Sequence, residues 1–214
     1  MAVEVEIDVQ VLKSEIKKTY ASVSQEPEKD FIFPTGRPWA EDLGYPEELA
    51  NVPETAVGSF AGVANPWQLG RLAPGERVLD LGAGAATDSL IAGQMVGEHG
   101  RVTGIDMTQE MLTKARTAAA EMDAANVEFV ESEADQLPFP DASFDVVISN
   151  GVIDLIPDKE AVFAETSACS HPVVGSRSPT SRSRTRSAPK AAGTSTSGPA
   201  ELPERCWKQR TPSS

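Results

Sequence analysis

VLDLGAGAATD, residues 78–88, decides the fold. RVLDLG (77–82) is a short apolar run around one carboxylate, closed by glycine, which is how a strand buried on both faces reads. TDSLIAGQMV (87–96) follows with helical spacing, and Thr87 or Asp88 can cap its first turn. Between them, Gly82-Ala83-Gly84 forms a turn so poor in side chains that a ligand can approach the backbone at the carboxyl end of the sheet.

Outward from this turn the alternation continues. RVTGID (101–106) is strand-like, and TQEMLTKARTAAAEM (108–122) is a run of strong helix formers whose opening T-x-x-M stops short of a capping box. VEFVES (127–132) and FDVVISN (144–150) read as two more strands, and DKEAVFAET (158–166) opens another helix. That order predicts an α/β fold with a doubly wound, Rossmann-like sheet. Upstream, residues 8–24 read as an amphipathic helix and PEKDFIFPTGRPWAEDLGYPEEL (27–49) as a Pro- and Gly-punctuated connector. Asn65-Pro66 looks like an N-cap and first-turn pair opening a short helix through Leu72. Residues 1–70 are therefore expected to cover the sheet or its cleft, residues 71–166 to form the ligand-binding domain, and residues 167–214 to be a separate tail. No internal repeat is visible.

Charge divides the chain at the same place. Residues 166–214 carry eight Lys/Arg and two Asp/Glu, whereas residues 1–165 carry 11 basic and 30 acidic residues within a total net charge of −13. An acidic body repels phosphate backbones, so nucleic acid is not expected as its partner. Both cysteines, Cys169 and Cys206, lie in the tail, which excludes a disulfide framework and a thiolate metal site from the body. His99 and His171 have no ligand-spaced partners, so no metal is expected. MAVEVEIDV lacks the basic-then-apolar order of a signal peptide, and no apolar run approaches the length of a membrane span. The expectation is a soluble cytoplasmic protein, monomeric and free of the membrane.

Two kinds of cofactor use a glycine turn of this sort. A dinucleotide site wants G-x-G-x-x-G, with the pyrophosphate on the helix N-terminus. Here Gly82-Ala83-Gly84-Ala85-Ala86-Thr87 lacks the third glycine, and Asp80 suits a cationic amino group better than a pyrophosphate. Asp106 ends the next strand, 22 residues after Gly84, where a carboxylate can accept both hydroxyls of a ribose. That spacing fits NAD and S-adenosylmethionine equally. SEADQLPFPDASFDVVISN (132–150), with Glu133 and Ala134 directly after the third strand, matches no NAD motif.

Together these residues resemble the class I S-adenosylmethionine-dependent methyltransferases over about residues 60–165. The resemblance implies S-adenosylmethionine as cofactor and a Rossmann-like sheet of seven strands, of which four are recognisable and the C-terminal ones are missing. It implies that Asp80, Gly82, Ala83 and Gly84 hold the methionine part, that Asp106 holds the ribose with Met107 beside the adenine, and that Glu133 and the backbone of Ala134 bind the adenine edge. Asn150 and the residues through Ile153 would line the methyl-transfer cleft. Ala86 departs from the usual third glycine. FAGVANP (60–66), RVTGIDMTQEML (101–112) and VISNGVIDLIPDK (147–159) are similar to the arsenite-methyltransferase-like branch. Arsenite methyltransferases carry cysteines where this chain has Val63 and Gly151. Thiolates are the soft ligands arsenic needs, so the resemblance extends to the branch without extending to its substrate. The implied reaction is methyl transfer to a small-molecule acceptor. No nucleophile or general base is assigned, because the cofactor supplies the reactivity and the protein supplies positioning; Asp154 and Asp158 read as solvated loop acids near the cleft.

The tail admits two readings. An RS-rich basic segment can bind RNA, which would make the chain a catalytically dead adaptor. Alternatively, read two bases later, the tail's codons permit R-V-L-x-P-G-G-R from residue 167, as the branch should read before its fifth strand. On that reading residues 167–214 are a frame-shifted translation. Poor in large apolar residues and rich in Pro and Ser, they are expected to be disordered.

Overall fold

The computed structural model describes residues 8–25, 31 and 33–170. The core is a sheet of four parallel strands, β1 (Arg77–Leu81), β2 (Arg101–Asp106), β3 (Val127–Glu131) and β4 (Val146–Ser149), in the order β3-β2-β1-β4. The chain winds outward from β1 through β2 to β3, then crosses back to set β4 on the other side of β1. This reversal places a crevice outside the carboxyl ends of β1 and β4, where ligands of such sheets bind. From Val78 to Leu81, β1 is buried at every position, as its unbroken apolar run requires.

Six α-helices accompany the sheet: α1 (Val9–Gln25), α2 (Gly36–Asp42), α3 (Glu54–Val57), α4 (Thr87–Val96), α5 (Gln109–Glu121) and α6 (Lys159–Cys169). All but one residue of α4 is buried, so its sequence shows no polar face. One of its faces meets the sheet; the other meets residues that precede the sheet. Leu49, Val52, Val57, Phe60, Trp67 and Leu72 share one apolar cluster with Leu90, Ile91, Met95 and the strand residues Val78, Val146 and Ile148. The opposite face of the sheet packs Leu79, Leu81, Ile105 and Val147 against Leu137, Phe144, Val162 and Cys169.

Several local expectations change. Neither Thr87 nor Asp88 caps α4: Ala86 takes the N-cap position in the left-handed conformation, φ 82°, and Asp88 is buried. The 27–49 connector is partly helical, with α2 followed by a 3-10 turn over Glu47–Asn51. Pro38 falls in the first turn of α2, where its missing N–H costs nothing. The short helix after Asn65 is a 3-10 turn, Pro66–Leu69, that stops at Gly70. Asn65 does cap it, accepting the Trp67 amide at 2.9 Å. α6 continues through Cys169, three residues into the segment expected to be a separate tail, and Ser170 pairs with Phe144 beside β4. The other expectations for the tail, disorder and a shifted frame, fall from residue 171 onward outside the described residues. No helix among the described residues is long and apolar enough to cross a membrane.

Candidate active site

One cleft opens at the carboxyl ends of the strands, with about 1050 Å³ of free space including its open mouth. The turn after β1 forms its floor. Gly82 (φ 74°) and Gly84 (φ 54°) both lie in the left-handed region, yet they serve differently. A Cβ on Gly82 would stand 2.7 Å from the Val152 Cβ, so Gly82 is required by packing. At Gly84 a Cβ would meet nothing within 4 Å, so this part of the backbone faces open space in the cleft. Ala86, in place of the third glycine, bears the left-handed conformation at a cost of about 1–2 kcal/mol.

Asp106, at the end of β2, lines the cleft and organises the turn. Its Oδ2 accepts the Gly84 amide at 3.0 Å and its Oδ1 the Thr108 amide at 2.8 Å. Burial raises its carboxyl above the ordinary range, against the pull of these two amides. Met107 and Thr108 continue the same wall. Across from them Ser132, Glu133, Ala134 and Asp135 line the cleft directly after β3. Of the nine residues expected to bind cofactor, eight therefore line one cleft: Gly82, Ala83, Gly84, Asp106, Met107, Glu133, Ala134 and Asn150.

Asp80 is the exception. It is 2% exposed and sits behind the turn, accepting the Ser89 hydroxyl at 2.6 Å. Burial, reinforced by the nearby Asp88 carboxylate, pushes its carboxyl up to about 8. Asn150 also differs from expectation. It lines the cleft, but its side chain is engaged with protein: Oδ1 accepts the amides of Val63 (2.9 Å) and Ala64 (3.1 Å), and Nδ2 donates to Asp88 (3.0 Å), Tyr45 (2.8 Å) and the Ala64 carbonyl (3.0 Å). Asp154 and Asp158 have structural partners: Asp154 pairs with Lys159 at 3.6 Å, and Asp158 caps α6.

Three contacts were not specified by the sequence, although a cover over residues 1–70 and a shared role for positions 63 and 151 were expected. The first is Asp88, which accepts the Trp67 indole N–H (3.1 Å) and the Tyr45 hydroxyl (3.1 Å) besides the Asn150 amide, and so joins residues before the sheet to α4 and β4. Burial raises its carboxyl to about 6, against these three donors. The second is α1, whose Lys13, Ile16 and Tyr20 form a wall of the cleft. Lys13 pairs with both Glu133 and Asp135. The third is the meeting of Val63 with Gly151: a Cβ at 151 would lie 3.5 Å from the Val63 Cγ1. None of the three has a local signal, because each depends on residues tens of positions apart.

A parallel sheet with a glycine turn after its first strand and an acid at the end of its second is an α/β fold with its ligand crevice at the carboxyl ends of the strands. The family follows from comparison: residues 72–192 match the family described as "Methyltransferase domain", and the chain belongs to this family of S-adenosylmethionine-dependent methyltransferases. The match runs on into the segment expected to be out of frame. An arsenite methyltransferase of Halobacterium salinarum is 48% identical over 128 residues, 59% of this chain and 32% of that protein. A demethylmenaquinone methyltransferase of Listeria monocytogenes is 38% identical over 98 residues, 46% of this chain and 41% of that protein. The crystal structure of an arsenic(III) S-adenosylmethionine methyltransferase from Chlamydomonas reinhardtii superposes with a TM-score of 0.55 at 40% identity, covering 58% of this chain and 44% of that one. The chain thus spans between about a third and under half of the length of these relatives.

Proposed function

We propose that this chain binds S-adenosylmethionine in the cleft above Gly82–Gly84 and transfers its methyl group to a small-molecule acceptor other than trivalent arsenic. The reading is carried by one juxtaposition: the open backbone at Gly84 and the Asp106 carboxylate that bonds it share the floor of one cleft. These residues fit the cofactor, because a Cβ-free turn admits close approach and a carboxylate at the end of β2 suits a ribose diol. When bound, the cofactor supplies an electrophilic methyl on a sulfonium. The chain's residues position and enclose it: Asp106 for the ribose, Met107 beside the adenine, Glu133 and the Ala134 backbone for the adenine edge. Asp80, behind the turn, acts through its hydrogen bond with Ser89 at the start of α4, and Asn150 acts by holding the 63–64 backbone in place.

The acceptor reading is supported by Val63 and Gly151. These positions, cysteines in arsenite methyltransferases, stand against each other here, as two ligands of one metalloid would have to. The pair is a valine and a glycine, and the glycine has a φ of 94°, which disfavours any side chain. Cys169, the only cysteine among the described residues, is the buried last residue of α6 and does not line the cleft. Among the described residues, soft thiolate ligation is therefore not provided at the cleft.

Calorimetry with S-adenosylhomocysteine tests the cofactor. The chain should bind it, and Asp106→Ala should weaken binding by about 1–3 kcal/mol, the loss of charge-assisted hydrogen bonds. Unchanged affinity in a folded variant rules out Asp106 as the ribose ligand. Consumption of S-adenosylmethionine stimulated by arsenite would overturn the acceptor reading.

A further inference from the structure

α1 is held at its two ends by different forces. Near its C-terminus Val23 is fully buried in a small cluster with Ala85 and Met111, and the Ser59 hydroxyl donates to the Val23 carbonyl at 3.4 Å. Near its N-terminus the tie is ionic. The Lys13 ammonium sits between Glu133 and Asp135, 3.1 Å from the latter, and the bond to Glu133 is the main force holding its pKa above the ordinary lysine range. Ten residues of helix, about 15 Å, separate the apolar anchor from this ionic contact. Between them Ile16 and Tyr20 face the cleft.

The ionic end is the weaker of the two. The side chains of Lys13 and Glu133 are 19% and 39% exposed, and a partly solvated ion pair contributes little net stability. One polar atom at this contact stays dry: Asp135 Oδ1 is buried without a hydrogen-bond partner, a cost that the ion pair does not relieve. Meanwhile Lys13 occupies the carboxylate that, on the cofactor reading above, receives the adenine edge.

We propose that α1 is a cover hinged near Val23 and latched by Lys13, and that the cofactor enters by displacing Lys13 from Glu133. The proposal rests on the cofactor reading above and adds to it a competitor within the chain. Breaking the Lys13–Glu133 contact precedes binding, so it slows association. Once the adenine holds Glu133, the latch has no part in the bound state and does not govern release.

Binding kinetics of S-adenosylhomocysteine to the immobilised full chain, by surface plasmon resonance, test this. Lys13→Met keeps the apolar stem and removes the charge; association should rise about three- to fivefold, while dissociation changes less than about twofold. Lys13→Arg, which restores the cation, should bind like the wild type. Salt at about 0.5 M should speed association of the wild type and leave Lys13→Met unchanged, since screening weakens only an existing ion pair. If both rates rise together, Lys13 merely steadies α1, and the latch is wrong. Unchanged or slower association in Lys13→Met, with binding intact, also overturns it and leaves the cofactor reading standing. Absence of binding in all three proteins overturns the cofactor reading and the latch with it.

Discussion

The two ends of the cleft are built in opposite ways. The end proposed to hold the cofactor is made from strand ends: the turn at 82–84, the acid at 106 and the pair at 133–134 each sit at or just after the carboxyl end of a strand. The end proposed to hold the acceptor is assembled at a distance. Asp88 on α4, Asn150 after β4, Tyr45 and Trp67 from the cover, and the backbone of Val63 and Ala64 meet in one hydrogen-bonded knot. A glycine turn tolerates variation around it as long as its backbone angles survive. A knot around a single buried carboxylate fails as a unit.

Asp88→Ala should therefore be the most damaging single change outside the apolar core. It strips the acceptor from the Trp67 indole, the Tyr45 hydroxyl and the Asn150 amide, and should cost about 2–4 kcal/mol in urea unfolding, the relief of a buried charge offsetting part of the loss. Asp88→Asn retains one acceptor oxygen and should cost about half as much. If Asp88→Ala is as stable as the wild type, the knot does not hold the acceptor end. Gly82→Ala comes next, at about 2–3 kcal/mol, because the left-handed φ and the contact with Val152 add. Gly84→Ala should cost only about 1 kcal/mol of stability, the conformational part alone. It should instead weaken S-adenosylhomocysteine binding about tenfold, by filling the space the ligand needs. Equal losses of stability in the two glycine variants would erase the distinction between a packed and an open glycine.

The same asymmetry explains what the sequence could reveal. β1, α4 and β2 fall close to where their apolar runs and glycines place them, because a buried parallel strand and a glycine turn are local signals. Eight of the nine residues expected to bind cofactor share the cleft for the same reason. α2 was hidden because Gly36 and Pro38 look like breakers, although proline is harmless in a first turn. α6 passes residue 166 because Ser167, Ala168 and Cys169 are small enough to continue a helix, and Cys169 is buried against Phe139 and Phe144, far back in the chain. Asp88 looks like a cap from its position in the first turn. Its actual role depends on residues 43 positions upstream and 62 downstream, which no periodicity connects.

The mildest prediction separates the two buried acids. Asp80, held up to about 8 by burial and by Asp88, binds its proton more tightly folded than unfolded. Asp88, at about 6, does so less strongly. A carboxyl whose folded pKa exceeds its unfolded value of about 4 stabilises fully below that value and loses its contribution as pH rises through the folded one. Stability from this pair should thus decline between about pH 4 and pH 8, with the upper half of the decline belonging to Asp80. Asp80→Asn removes the ionisation, and its amide oxygen can still accept the Ser89 hydroxyl, so the variant should differ little from the wild type at pH 5 and be the more stable of the two at pH 8. Urea unfolding at both pH values measures the difference. Parallel losses in the two proteins would mean that Asp80 is not the group that titrates and that the decline belongs to Asp88.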